Sequence, residues 1–129
     1  MSDNNGNMGT SVRDVRTLKV WQKSKHLVIR VYEITDSFPR AEQYHIVDQM
    51  RRASTSIKAN IAEGCGQLYH KKTISFLNNA LGSASEVKDW LDTSLSLGYI
   101  NQAVYNELTE KTTEIIRMTI GYLKSIKVR

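Results

Sequence analysis

Apolar positions along this chain recur every three or four residues and seldom alternate, which is the spacing of one face of an α-helix and not of a strand. From residue 20 the stripe reads Val20, Ser24, Leu27, Val31, Ile34 and Phe38, widened by Trp21, Val28 and Tyr32. Pro39 ends it, because a proline pushes the preceding residue out of the helical region. A second stripe, Val47, Met50, Ser54, Ile57 and Ile61, with Ile46, Ala53 and Asn60 beside it, predicts a helix over residues 41–64, stopped by Gly64 and Gly66. Small residues crowd its second half. Ala53, Ser54, Ser56, Ala59 and Ala62 leave little side chain between this helix and a neighbour, so a close backbone approach is expected there.

Residues 71–97 carry two apolar phases at once: Ile74, Leu77, Leu81, Ala84, Leu91 and Leu95, and then Phe76, Ala80, Ser83, Val87, Trp90, Ser94 and Leu97. Gly98 caps this third helix, and Asn101 starts a fourth over residues 102–126 with Val104, Leu108, Ile115, Ile116, Ile120, Leu123 and Ile126, flanked by Tyr105, Thr112, Thr119 and Tyr122. Connections of a few residues between long helices force antiparallel neighbours, so the expected fold is all-α, an up-down-up-down four-helix bundle. The apolar faces of the third and fourth helices are wider than an internal seam requires. Large exposed apolar patches are rare on monomers, so self-association into a homo-oligomer is expected through Phe76, Val87, Trp90, Ile116 and Ile120.

Composition narrows the class. The 129 residues suit one domain, placed at residues 13–129 after a polar, Asn/Gly/Ser-rich lead-in, residues 1–12, that is expected to be disordered. A single cysteine, Cys65, excludes an internal disulfide and a multi-cysteine zinc site and fits a reduced cytoplasmic setting. No segment approaches the roughly 20 apolar residues of a membrane span, and no membrane partner is expected.

The candidate chemistry is sparse. Glu42 and His45 have the Glu-x-x-His spacing of di-iron bundles, but that site needs two such pairs and two more carboxylates, and here the pair occurs once. His26, His45 and His70 are scattered, and Cys65 has no histidine in register, so neither metal, cofactor nor enzymatic activity is expected. Arg52, Asn60 and Glu63 interrupt the small, apolar surface of the second helix and are expected to form a satisfied structural polar network.

Several of these segments resemble a known family. The run Leu18-Lys19-Val20-Trp21-Gln22-Lys23 is similar to the opening of the four-helix-bundle proteins encoded by intervening sequences of bacterial 23S ribosomal RNA. So are Gln49-Met50-Arg51-Arg52-Ala53, Ser56-Ile57, Ala59-Asn60-Ile61-Ala62-Glu63-Gly64, the segment Phe76-Leu77 to Ala80-Leu81-Gly82-Ser83, and Leu97-Gly98-Tyr99-Ile100. The resemblance covers residues 17–126 and implies a bundle assembled as a ring-like homopentamer without established enzymatic activity. It also suggests kinship with the accessory protein of diversity-generating retroelements, a basic pentameric bundle that binds nucleic acid and a reverse transcriptase. Relatives commonly have proline between the Ser-Ile and Ala-Asn pairs, where this chain has Lys58.

Charge placement supplies the functional expectation. The chain is +5 with an excess of Lys and Arg. In an antiparallel bundle the start of the first helix, the loop between the second and third, and the end of the fourth share one end. Those segments hold ten cations, Arg13, Arg16, Lys19, Lys23, Lys25, Lys71, Lys72, Lys124, Lys127 and Arg129, against Asp14 and Glu63, a balance of +8. Such a pole suits low-specificity binding of RNA or DNA through phosphates, strengthened by avidity in a ring. Its aromatic residues, Trp21 and Tyr69, stand at the margin, so no base-stacking platform is expected. The alternative is a protein-interaction scaffold whose partner is another protein and whose charge serves an acidic partner or solubility.

Overall fold

Val20, Ser24, Leu27, Val31 and Ile34 are all buried, as the first stripe requires, on helix α1 (Lys19–Thr35) of a computed structural model that describes residues 17–127 without the side chain of Lys127. The element order continues through α2 (Asp48–Cys65), α3 (His70–Ser96) and α4 (Gln102–Lys127), with no strand among the described residues. The expected lead-in over residues 1–12 lies outside them.

Two local differences from the predicted helices have physical causes. The segment after Pro39 is not yet α-helix: a 3-10 turn (Arg40–Glu42) and a wider π-turn (Gln43–Val47) precede α2. Pro39 accepts the first bond of this segment from Glu42 N at 2.9 Å. The extra residue in the π-turn brings Ile46 and Val47 into the core together, ahead of Met50. The second difference is at Gly64, which does not stop α2. It is buried inside the last turn, where an added Cβ would sit 3.1 Å from Leu77 Cδ2 and 3.1 Å from Phe76 Cβ. The missing side chain is what lets α3 come close, and the Thr73 hydroxyl donates to the Gly64 carbonyl at 2.8 Å.

The two phases of α3 resolve into one seam. Thr73, Leu77, Ala80, Ala84, Val87, Leu91 and Ser94 are buried, drawing members from both phases, while Ile74, Leu81 and Leu95 flank the core on one side and Trp90 on the other. On α4 the buried set is Leu108, Thr112, Ile115, Thr119, Leu123 and Ile126. Ser24, Thr112 and Thr119 are satisfied by their own helices, donating to Val20 O, Leu108 O and Ile115 O at 2.7–2.8 Å, whereas Thr73 and Ser94 of α3 reach across to α2, to Gly64 O and Met50 Sδ. The expected caps of α3 and α4 are in place. Gly98 takes φ +77, the left-handed turn that glycine adopts without strain, and Asn101 Oδ1 accepts from Val104 N at 2.8 Å.

The helices meet in a regular order of contacts. On α1 and α4, Arg30 meets Glu107 and Lys23 meets Glu114, so the α4 partner moves forward as α1 is read backward. The same inverse progression relates α2 to α3, where Ser56 meets Ser83 and Gly64 meets Thr73, and α1 to α2, where Thr35 meets Arg51 and Trp21 meets Lys58. α2 and α3 are packed most extensively, in keeping with the small residues on α2. Phe38 and Tyr99, with ring centroids 5.2 Å apart, join the α1–α2 connection to the α3–α4 connection.

Candidate nucleic-acid interface

Contacts between helices bring the start of α1, the end of α2 and the start of α3 to one end of the molecule: Lys58 Nζ lies 5.2 Å from the Trp21 ring, and Gly64 touches Thr73. The Lys23–Glu114 pair aims the last turns of α4 the same way. Of the ten cations expected there, Lys19, Lys71, Lys72 and Lys124 are exposed and form no ion pair with a described residue. Lys23 is different, because Glu114 lies 3.3 Å away and neutralises it locally. Lys25 stands 5.8 Å from the Trp21 ring, which Lys58 also approaches. Arg13, Arg16 and Arg129, and the side chain of Lys127, lie outside the described residues.

Cations elsewhere are mostly spoken for. Arg30 donates in bidentate fashion to Glu107, Nε to Oε2 at 2.7 Å and Nη2 to Oε1 at 2.8 Å. That hydrogen bond holds the Glu107 carboxyl below its usual range and raises the arginine. Arg52 pairs with Asp48, Arg117 with Glu110, and Arg51 lies 4.3 Å from the Tyr32 ring while donating to Thr35 Oγ1. A shallow concavity along the α1–α4 seam is lined by His26, Ile29, Arg30, Glu107 and Lys111. Arg30 there is already held by Glu107 and Glu33 and is not free to meet an anion.

Lys58 was not among the expected cations. Its place over Trp21 depends on two helices meeting, and no spacing within either helix records it. Tyr69 and Leu68 also emerge as exposed at this end, with Tyr69 58% open to solvent.

Two other expected groupings are altered. Arg52, Asn60 and Glu63 do not form one network. Arg52 is exposed on Asp48 and Glu63 is exposed, while Asn60 Nδ2 donates to Ser56 O at 2.9 Å and to Ser56 Oγ, which bonds Ser83 Oγ at 2.8 Å across to α3. Positions 52 and 63 share a face but stand about 16 Å apart along the helix, and Asn60 is turned toward the α3 side, where the small α2 surface is served by serines instead. Val87, expected at an oligomer interface, is 0% exposed inside the bundle, because the buried seam of α3 runs between its two phases. Phe76 and Trp90 lie on the flank that faces α2, through Gly64 and the Ser56–Ser83 bond. Ile116 is half-buried and Ile120 is 38% exposed on α4. The Glu42 carboxylate accepts from Tyr99 Oη at 2.7 Å, which pushes the phenol upward, and no cluster of three His, Cys, Asp or Glu suited to a metal occurs among the described residues. Cys65 is buried. No helix described is long and apolar enough to cross a membrane.

Comparison with known proteins points one way. The sequence profile described as 23S rRNA-intervening sequence protein matches residues 16–121. A crystal structure of a protein of unknown function from the S23 ribosomal protein family of Bacteroides thetaiotaomicron is similar, with a TM-score of 0.76 and 28% identity over 81% of this chain and 98% of that one. No curated protein gives a significant match.

Proposed function

The chain belongs to the 23S rRNA-intervening sequence protein family, and we propose that it is a non-enzymatic, cytoplasmic, oligomeric bundle that binds RNA or DNA with little sequence preference through its basic end. The observation that carries this reading is the contrast in charge pairing: Lys19, Lys71, Lys72 and Lys124 are exposed without a described carboxylate partner, whereas Arg30, Arg52 and Arg117 are each tied to one. Cations free of carboxylates are the ones that exchange counterions for phosphates. The inverse order of contacts between helices supports an up-down-up-down arrangement, which gathers these lysines from separate parts of the chain. Assembly as a ring-like homopentamer, which the family resemblance implies, is supported by the apolar margin at Ile116 and Ile120 and multiplies the basic ends.

Titration of labelled RNA and DNA over a range of salt concentrations tests the reading. Binding that weakens steeply with salt is the expected result, and no binding at low ionic strength removes the proposal. Light scattering with absorbance recorded on the same peak reports assembly and any co-purifying nucleic acid.

A second reading, a protein-interaction scaffold, is favoured by Tyr44, 85% exposed at the opposite end. It prevails if charge reversal at Lys71, Lys72, Lys124 and Lys127 abolishes nucleic-acid binding while capture of a protein partner persists.

A further inference from the structure

Two aromatic rings among the described residues are more than half exposed, Tyr44 at the far end and Tyr69 at the basic end, and only Tyr69 has free lysines close to it in the chain. Trp21 is engaged by Lys25 and Lys58, Tyr32 by Arg51, and Phe38 and Tyr99 by each other. The Tyr69 ring enters no ring or cation contact among the described residues, and its hydroxyl forms no hydrogen bond there. Yet its backbone is held. The residue is extended (φ −113°, ψ 135°) at the threshold of α3, and its carbonyl accepts from Thr73 N at 3.2 Å, while the Thr73 side chain is locked to Gly64. A large ring is therefore presented to water from a fixed point. Lys71 and Lys72, both exposed, follow within three residues, and the first turn of α3 contains no acid that would oppose them.

A fixed open ring beside free ammonium groups matches the two demands of an unpaired nucleotide, a flat surface for the base and positive charge for its phosphates. A duplex satisfies only the second, since its bases are already stacked inside. We propose that Tyr69 together with Lys71 and Lys72 forms a subsite for single-stranded nucleic acid, in which an unpaired base stacks on the Tyr69 ring and the adjoining phosphates lie on the two lysines. This rests on the polyanion reading above and sharpens it, because it replaces indifferent backbone binding with a preference for unpaired strands. It also revises the expectation that the basic end lacks a stacking platform.

The test uses the full chain, a labelled pyrimidine-rich oligonucleotide as RNA and as DNA, and each strand annealed to its complement. Single strands are expected to bind more tightly than their duplexes. Tyr69→Ala is expected to weaken single-strand binding by about 5- to 150-fold, the range of one lost base–aromatic stack, with duplex binding unchanged. Tyr69→Phe, which keeps the ring, is expected to bind as the parent does. Changing Lys71 and Lys72 to Gln is expected to weaken both forms and to flatten the salt dependence by a slope of about 1.4 for single strands and about 1.8 for duplex. Single-strand affinity untouched by Tyr69→Ala, or lost equally for single strand and duplex, overturns the subsite and leaves the polyanion reading standing. Absence of binding to every probe by the unaltered protein overturns both.

Discussion

At the end where the α1–α2 and α3–α4 connections meet, Phe38 packs on Tyr99, the Tyr99 hydroxyl donates to Glu42, and Arg51 reaches back over Tyr32 to Thr35. At the other end the α2–α3 connection is held from beneath, by Thr73 on the Gly64 carbonyl, while Leu68, Tyr69, Lys71 and Lys72 face water. One end spends most of its aromatic and charged side chains on itself, Tyr44 being the open exception. The other secures its backbone and leaves such side chains unspent. The lesson is that a surface able to bind something else is recognised by what it does not use internally, and that a fixed backbone beneath free side chains lowers the ordering cost of binding.

The strongest way to break this contrast is to empty the self-bound end. Phe38→Ala removes a buried ring and should destabilise the fold by about 3–5 kcal/mol in urea unfolding, whereas Tyr69→Ala, at an exposed ring, should change stability by less than about 0.5 kcal/mol. Equal losses would erase the distinction.

A smaller effect is expected beneath the basic end. At Gly64 an alanine Cβ meets Leu77 and Phe76 at 3.1 Å, a tightness that the roughly 1 kcal/mol gain in helix propensity over glycine offsets. Gly64→Val adds branched bulk against the same neighbours, and its loss of stability should be about 1–3 kcal/mol, read from the urea midpoint. Valine tolerated as well as alanine would mean that the close approach of α3 does not anchor this end.

The smallest effect concerns the α1–α4 seam. The Glu107 carboxyl is held below its usual range by Arg30, so its contribution is present at neutral pH and is lost as pH falls through the ordinary carboxylate range and past the depressed value. Both side chains are about a third exposed, which limits the pair to roughly 1 kcal/mol or less. Glu107→Gln should flatten that acid-side slope in stability measured against pH, and an unchanged slope would discount the pair.

Much of the architecture is readable from the chain because helical periodicity, capping and proline breaks are local. The stripe Val20, Ser24, Leu27, Val31 and Ile34, the turn at Gly98 and the cap at Asn101 depend only on residues within one or two turns, so the four helices follow from the sequence closely except at the start of α2, where α-helix begins at Asp48 and not at residue 41. Gly64 shows where local reading stops. A glycine near a helix end is a stop signal by sequence, and only the arrival of Leu77 and Phe76 makes it a contact point.

The same divide runs through the candidate site. Lys71 and Lys72 are visible as a basic pair, but whether a cation is free depends on carboxylates from other helices, and Glu114 meets Lys23 while no described partner meets Lys71. Val87 and Ile120 both belong to apolar stripes, yet the packing of α3 between its neighbours buries the first and leaves the second partly open. Sequence determined which residues share a face of each helix, since that follows from 3.6 residues per turn. Tertiary structure alone decided which faces are covered and which charges are cancelled, because burial and ion pairing are properties of surfaces that distant segments bring together.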